Sequence, residues 1–346
     1  MSISDYLAFK RKTWMEIVDD FCRRRQLDQF MVDYLTTGGK WHRPTLAEIG
    51  YRLAEGKDSA AAAPAFASLE LIHRYLLVHD DIIDQDLVRH GLPTLEQHFK
   101  DCFATRYPGQ KDITYSKGMA MIAGDVICAL AYELLNQAKV SPTVLTQATR
   151  AISTLLIETA EGWKIQTEQN FMAIEEVSEQ DFTRGMELVS AQYSFVWPLR
   201  LGQLLAGKTM DQLDLHLDAY AYHTGIAFQI RDDYLGMFGT EAEIGKPVGH
   251  DYREGKKTLF ILRTYARAGQ SDKDFLQHTL GKQPSINDIE RAKELIKNTG
   301  ALDEVMDMAK QQVELAQEQL RQNIPNDSES LKLLTELAKL MVTRLH

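Results

Sequence analysis

The residues best able to do chemistry in this 346-residue chain begin with LVHDDIIDQDLVRHG, residues 77–91, which holds four aspartates within seven positions. On a helix, His73, Asp80 and Asp84 share one stripe, and Asp81 lies beside it. Like charges at this spacing repel one another, and buried carboxylates need partners. Hard cations such as Mg²⁺ bind carboxylate oxygens together with substrate phosphates. The stretch therefore indicates either a solvated acidic helix end or a magnesium site.

A second acidic cluster closes another apolar helical pattern, GIAFQIRDDYLG, residues 225–236. Gln229, Asp232 and Gly236 share a face there, and Asp233 follows directly. We expect the two helices to face each other across a cavity, with their aspartates holding several Mg²⁺ ions around one diphosphate.

Basic residues and glycines flank the two acidic clusters along the sequence. Each cation alone is typical of a solvated surface, but together they fit a site for polyanionic substrates bridged by metals. The glycines would let the backbone approach phosphate oxygens. The cations are Lys40, Arg43, Arg89, Lys246, Lys256 and Lys257.

Composition excludes several classes of protein. Lys and Arg number 39 against 49 Asp and Glu, giving a formal charge of −10 that argues against a general nucleic-acid binder. Three distant cysteines without a CxxC pair predict a reduced, intracellular protein without a thiolate metal site. The N-terminus lacks an apolar signal core, and charges interrupt the apolar segment 118–135. We therefore expect a buried core helix there, no stable membrane insertion and a cytoplasmic location.

The elements that position these residues are predicted to be helices, because 3.6-residue periodicity dominates and alternating strands are missing from the pattern. We predict one all-α domain over residues 1–346, a bundle of ten or more helices around a central cavity, with Gly- and charge-rich loops as ligand loops. The longest predicted helices are Ala61–Val88, Ile113–Lys139, Pro142–Gln169, Asp181–Ala206, Leu213–Phe238 and Leu302–Gln322.

The chain resembles the trans-isoprenyl diphosphate synthases, or polyprenyl synthetases, of the short-chain type that makes geranylgeranyl or farnesyl diphosphate. A single DDxxD motif is weak evidence, whereas the ordered set over nearly the whole chain is specific. The segments that carry the resemblance are GGKWHRP (38–44), LELIHRYLLVHDDIID (69–84), RHGLPT (89–94), AGDVICALAYELL (123–135), RLGQLLAG (200–207) and AFQIRDDYLGMFGTEAEIGKPVGHDYREGKKTL (227–259).

The resemblance implies a role for each matching residue. The metal ligands would be Asp80, Asp81, Asp84, Asp232 and Asp233, holding about three Mg²⁺ ions, with Mn²⁺ as a possible substitute. The isopentenyl diphosphate pocket would comprise Lys40, Arg43, His73 and His90. The allylic diphosphate would contact Arg89, Lys246 and Lys256. Gln229 matches a residue near the developing carbocation. The residues with catalytic roles would be Asp80, Asp81, Asp84, Gln229 and Lys246.

The implied activity is Mg²⁺-dependent, head-to-tail condensation of isopentenyl diphosphate with an allylic diphosphate. Tyr75 lies five residues before Asp80, about 7 Å along a helix, so Tyr75 and Leu76 are predicted to limit product length. The expected product is C15 to C20, with geranylgeranyl diphosphate preferred. The resemblance also implies a homodimer, with the apolar helix 118–135 as a candidate interface.

Four departures from the family pattern bear on this prediction. His90 replaces a second arginine and is largely neutral at pH 7. GWKIQ (162–166) replaces GQxxD, Val189–Ser190 replaces Lys-Thr, and Gly236 replaces the third aspartate of the second motif.

Two other functions therefore remain open. A terpene synthase would ionise an allylic diphosphate without condensation; His90 and Val189 favour it, whereas Lys40, Arg43 and His73 oppose it. A non-catalytic partner subunit is the other, and the intact DDIID argues against it.

Overall fold

The computed structural model describes residues 2–240, 248–323 and 329–343. The first helices and a two-residue hairpin are α1 Ile3–Arg24, α2 Gln29–Thr36, α3 His42–Leu53, α4 Ser59–Asp84, β1 Val88–Arg89, β2 Leu92–Pro93, α5 Leu95–Arg106 and α6 Tyr115–Leu135. The middle of the chain forms α7 Pro142–Phe171, a 3₁₀ turn Ile174–Glu176, α8 Glu179–Met186, a π-helix Glu187–Val196, α9 Trp197–Leu205, a 3₁₀ turn Met210–Gln212 and α10 Leu215–Phe238. The remaining helices are α11 His250–Glu254, α12 Leu259–Arg267, α13 Gln270–Thr279, α14 Ile286–Asn298, α15 Ala301–Asn323 and α16 Glu329–Thr343.

The predicted all-α class is confirmed, with more than ten helices in the described part of the chain. The chain divides into two compact units. The first unit comprises Met1–Arg150 and Arg200–Leu213, and the second comprises Ala151–Leu199 and Asp214–His346. The single domain over 1–346 and its central cavity stay predictions.

In the first unit, α4 is the central helix and packs against α1, α3 and α6. Asp58 starts α4 by accepting a hydrogen bond from the Ala61 amide at 3.0 Å, which satisfies one of the free N–H groups of the first turn. Trp14 and Phe66 bury an edge-to-face pair, with ring centroids 6.0 Å apart, between α1 and α4. Burial of this face fixes which way the acidic end of α4 points.

The predicted helix Ala61–Val88 is wrong at its C-terminal end, because α4 stops at Asp84. Gln85 adopts a left-handed conformation, with φ of 58°. Strands β1 and β2 then pair around His90 and Gly91, which both have positive φ, as a tight two-residue hairpin turn requires. The hairpin turns the chain back toward the end of α4.

Helix α6 has a buried face and an exposed apolar face, so the predicted core helix is only half buried in the single chain. Its buried side packs against α4 and α5. Met121, Ile122 and Val126 are exposed. Tyr115–Leu135 is long and apolar enough to cross a membrane by length and composition, a test that core helices of soluble proteins also pass.

In the second unit, α10 packs against α15, α16 and the π-helix. The region predicted as one helix, Asp181–Ala206, is helical but contains the π segment Glu187–Val196. Gly225 lets α10 approach this segment, because a Cβ there would overlap Ala191. π-Helical turns are frequent at functional sites, and this one carries Ser190 toward α10.

Candidate active site

Arg89 lies on the acidic end of α4. Its Nε donates to Asp81 Oδ1 at 2.7 Å, and Nη2 donates to Asp80 Oδ2 at 2.8 Å and to Asp86 Oδ2 at 3.1 Å. Thr94 supports the hairpin by donating its hydroxyl to the Asp86 carbonyl. The carboxylates raise the pKa of Arg89 although burial opposes this. The hairpin therefore joins the predicted diphosphate-binding arginine to the predicted metal ligands.

Asp81 is the most buried of these aspartates, at 2% exposure. Burial, with Asp80 and Asp86 nearby, raises its pKa to about 7, although Arg89 acts in the opposite direction. Its Oδ2 has no hydrogen-bond partner among the described residues. Asp80 and Asp84 are half buried on α4. The cluster thus holds carboxylate oxygen that a cation could bind.

The carboxylates at the end of α4 fit a Mg²⁺ ion only when water or substrate phosphate completes the ion's coordination shell. Within residues 2–240, 248–323 and 329–343, no group of three or more His, Cys, Asp or Glu side chains could hold a metal ion by itself. Mg²⁺ is usually bound by one or two carboxylates, water and substrate phosphates, not by an all-protein cage. The unsatisfied Asp81 Oδ2 beside Asp80 and Asp84 is compatible with that mode.

The glycine loop before α3 presents the predicted isopentenyl diphosphate ligands in the same unit. Gly38 and Gly39 have φ of 72° and 71°, and the Trp41 indole N–H donates to the Gly38 carbonyl at 2.9 Å. Lys40 is exposed on this loop, whereas Arg43 is buried in the first turn of α3. The loop geometry depends on glycine because these backbone angles strain other residues.

His73 and His90 lie among several arginines. Burial and the charges of Arg43 and Arg74 hold the pKa of His73 well below its usual value. His90 keeps an exposed edge, yet partial burial and the charges of Arg74, Arg89 and Arg11 lower its pKa to about 4. Both imidazoles are therefore neutral at pH 7, and His90 lacks the positive charge of the arginine that it replaces.

The predicted chain-length residues lie further up α4. The Tyr75 ring contacts the His79 ring edge-on, with centroids 4.8 Å apart, and its pKa is raised by burial and by Cys128 and Asp125 of α6. Leu76 is buried. Their effect on product length stays a prediction.

In the second unit, a short chain of hydrogen bonds orients Gln229. The Ser190 hydroxyl donates to Gln229 Oε1, and Gln229 Nε2 donates to Asp233 Oδ1 at 2.7 Å. Asp233 is buried, and burial, together with Asp251 and Asp232, raises its pKa well above the usual value. Asp232 is exposed on α10. The π-helix thus holds the amide of Gln229 through the hydroxyl of Ser190.

Asp251 occupies the volume beside Gly236. A Cβ added to Gly236 would overlap Asp251 Oδ2, so this packing has no room for the third aspartate of the motif. Lys256 Nζ lies 3.3 Å and His250 Nε2 lies 3.1 Å from Asp251 Oδ1. Although burial would raise it, these two bases hold the pKa of Asp251 below its usual value. Asp251 therefore places a carboxylate near Asp233 that the DDxxG pattern lacks.

The other predicted cations differ in their surroundings. Lys256 also pairs with Glu254 at 2.7 Å. Lys257 is buried, with its ammonium on the carbonyls of Asn170 and Gly255, and burial lowers its pKa to about 8. Its contacts are those of a structural lysine. Lys246 lies outside the described residues.

Val189 stands where the family usually has a lysine, and Lys164 is the nearby lysine that could replace that charge. The Val189 side chain packs on Gly162, because a Cβ there would lie 2.7 Å from Val189 Cγ1. Lys164 is exposed and 4.0 Å from Glu168. Apolar packing thus takes the place of the usual lysine, and Lys164 stays on the surface.

Sequence reasoning missed Arg74, Asp86, Asp251 and Ser190 as parts of this chemistry. Asp86 lies three residues before Arg89, a spacing that could have suggested the ion pair seen here. Asp251 lies within GKPVGHDYREGKKT, a segment already singled out. Ser190 stands where the family's Lys-Thr pair has its threonine, which could have suggested a hydroxyl role, whereas Arg74 carries no sequence signal beyond polarity on an apolar helical pattern.

Comparisons with known proteins find relatives over most of the chain. A family model described as polyprenyl synthetase matches residues 24–298. The geranylgeranyl diphosphate synthase of Saccharolobus solfataricus is 32% identical over 323 residues, covering 92% of this chain and 91% of the relative. The geranylfarnesyl diphosphate synthase of Aeropyrum pernix is 31% identical, covering 90% and 92%. A crystal structure of geranylgeranyl pyrophosphate synthase from Corynebacterium glutamicum, complexed with isoprenyl diphosphate and magnesium, has a TM-score of 0.87 at 27% identity, covering 99% of this chain and 100% of the other.

Proposed function

The chain belongs to the polyprenyl synthetase family, and we propose that it is a prenyltransferase joining isopentenyl diphosphate head-to-tail to an allylic diphosphate. The expected product is a C15 to C20 prenyl diphosphate, with geranylgeranyl diphosphate preferred, the product named for several relatives. The observation that carries the proposal is the end of α4, where Arg89 lies on Asp80 and Asp81.

The reaction breaks the C–O bond of the allylic diphosphate, and diphosphate leaves with the electron pair. The double bond of isopentenyl diphosphate then attacks the allylic cation and forms the new C–C bond. The attack leaves a carbocation on the former isopentenyl unit. Loss of a proton from the neighbouring carbon to the released diphosphate forms the new double bond, so no dedicated protein base is needed. Mg²⁺, when bound, neutralises the negative charge that develops on the leaving diphosphate.

The residues of the first unit would bind and orient the reactants. Asp80, Asp81 and Asp84 are proposed as metal ligands, since the buried Asp81 keeps one oxygen unsatisfied. Arg89 is proposed to move from these carboxylates to the diphosphate, where charge-assisted hydrogen bonds are strong. The exposed Lys40 and the buried Arg43 would bind isopentenyl diphosphate, with His73 as a neutral hydrogen-bonding partner.

The second unit would contribute a second set of groups. Asp232 and Asp233 are proposed as metal ligands and Lys256 as a contact to the allylic diphosphate, as the resemblance implies. Lys246 belongs to the same proposal on sequence alone. Gln229 is proposed to lie near the developing cation, with its amide fixed by Ser190 and Asp233.

We further propose a homodimer. The exposed apolar side chains of α6, Met121, Ile122 and Val126, would be covered by a second copy of the chain, since exposed apolar patches commonly mark interaction sites. The same burial would leave no apolar face of α6 for a membrane, in line with a cytoplasmic protein.

The decisive experiment supplies the purified chain with labelled isopentenyl diphosphate, Mg²⁺ and allylic diphosphates of five, ten or fifteen carbons. We expect labelled prenyl diphosphates, with C20 the longest main product. Hydrocarbon or alcohol without incorporated label would support a terpene synthase instead. Turnover only after addition of another synthase would support a partner subunit.

A further inference from the structure

Arg74 is a buried arginine beneath the glycine loop that precedes α3. It lies on α4 seven residues before Asp81, hence on the same face, and is 2% exposed. Its Nη2 donates to the Gly38 carbonyl at 3.3 Å, and its guanidinium carbon is 5.9 Å from the centre of the Trp41 ring. A fixed positive charge therefore lies under the loop that presents Lys40.

The charge of Arg74 is only partly balanced by protein groups. Its carboxylate partner is Glu70, with Nη2 and Oε1 3.4 Å apart, longer than the roughly 2.8 Å of a strong charge-assisted hydrogen bond. Arg74 Nε has no hydrogen-bond partner among the described residues. Burial raises the pKa of Glu70, against the opposing charges of Arg74, Arg43 and Arg11. The charges of three guanidinium groups thus act on the Glu70 carboxylate, and Arg74 keeps an N–H from which an incoming anion could accept a hydrogen bond.

Arg74 and His90 meet at the same glycine. A Cβ added to Gly38 would overlap the His90 ring, and the carbonyl of that glycine accepts from Arg74. The imidazole of His90 is uncharged at neutral pH, and the fixed charges that act on it are those of Arg74, Arg89 and Arg11. Of these three, Arg74 is the one that donates to the Gly38 carbonyl of the loop.

We propose that Arg74 is a positioning residue for isopentenyl diphosphate, holding the Gly38–Lys40 loop and supplying from below the positive charge that His90 does not carry. This inference rests on the proposed function. The group that depends on Arg74 is the diphosphate of isopentenyl diphosphate and not the allylic diphosphate. The reason is that Arg74 lies under the loop of Lys40, a residue proposed to bind isopentenyl diphosphate.

The test measures KM for each substrate separately in Arg74→Met, with Arg106→Met, an exposed arginine in the same unit, as the matched control. We expect Arg74→Met to raise KM for isopentenyl diphosphate at least tenfold and KM for the allylic diphosphate less than twofold. Adding His90→Arg to Arg74→Met should recover a large part of the loss, because it places a fixed charge on the hairpin residue that packs beside Gly38. An unchanged KM for isopentenyl diphosphate, or an equal rise in both KM values, would overturn the inference.

A second variant keeps the test decisive if Arg74→Met does not fold. Glu70→Gln removes the carboxylate that competes with an anion for Arg74. In titrations without metal, we therefore expect the Glu70→Gln variant to bind inorganic diphosphate at least threefold more tightly than the wild type does. Unchanged or weaker binding would contradict the inference. This titration needs no turnover, so a wild type that binds diphosphate but never incorporates isopentenyl diphosphate would refute the proposed function separately.

Discussion

Arg89 Nε donates to Asp81 Oδ1 at 2.7 Å, so the arginine proposed to bind diphosphate lies on carboxylates proposed to bind metal. Its Nη2 reaches Asp80 and Asp86 as well. In this arrangement the guanidinium neutralises the acidic end of α4. A bound Mg²⁺–diphosphate pair would replace these contacts, with Mg²⁺ facing the aspartates and diphosphate facing Arg89. The ion pairs thus stabilise the cluster in the absence of substrate.

Replacing Arg89 tests this exchange. We expect Arg89→Gln to raise KM for the allylic diphosphate about tenfold to a hundredfold, because a charge-assisted hydrogen bond contributes about 1.5–3 kcal/mol. Steady-state kinetics at saturating isopentenyl diphosphate measures the effect, with Arg106→Gln as the control. An Arg89→Gln enzyme with unchanged KM would exclude substrate contact by Arg89.

Gly236 gives a prediction about stability. We expect Gly236→Ala to lower the free energy of unfolding by about 1–3 kcal/mol, because its methyl group would overlap Asp251 Oδ2. Gly269→Ala is the control, since a Cβ there meets nothing within 4 Å and its φ of −70° is one that alanine adopts without strain. Urea denaturation compares the two. A neutral Gly236→Ala would show that Asp251 moves aside freely.

How far the sequence alone predicts this structure depends on the range of the interaction. Periodicity predicted the long helices, because their apolar faces repeat along the chain, and the family match bears out the proposed class of activity. Periodicity predicts the end of α4 four residues too late. The helix ends at the left-handed Gln85, and the hairpin at His90 brings Arg89 onto the aspartates, a contact that leaves no periodic pattern in the sequence. Asp251 beside Gly236 and Arg74 beneath Gly38 are likewise contacts between distant segments.

Tyr75 provides a prediction about product length. We expect Tyr75→Ala to shift the main product toward chains longer than C20, because removing the aromatic ring opens the wall along which the chain is proposed to grow. Products are extracted, dephosphorylated and sized by chromatography, with Phe103→Ala, an aromatic change on α5, as the control. Unchanged product length in Tyr75→Ala would refute this assignment.

His90 predicts a pH dependence of stability. Its pKa in the folded chain is about 4, below the ordinary value of about 6.5, so folding favours the neutral ring. The resulting stability is fully present above about pH 6.5 and is lost as the pH falls toward 4. We expect His90→Asn, which tolerates the left-handed backbone, to lose less stability than the wild type between pH 7 and pH 4.5. Denaturation midpoints at both pH values measure this, and equal losses would contradict it.

The most direct test of head-to-tail condensation is the ratio of diphosphate released to labelled isopentenyl diphosphate incorporated by the purified chain in Mg²⁺. Each condensation releases one diphosphate and forms one C–C bond, so we expect a ratio of about one. Both signals should be lost in Asp81→Asn, which removes the charge of a buried residue proposed as a metal ligand. Diphosphate release without incorporation of label would contradict the proposed prenyltransferase.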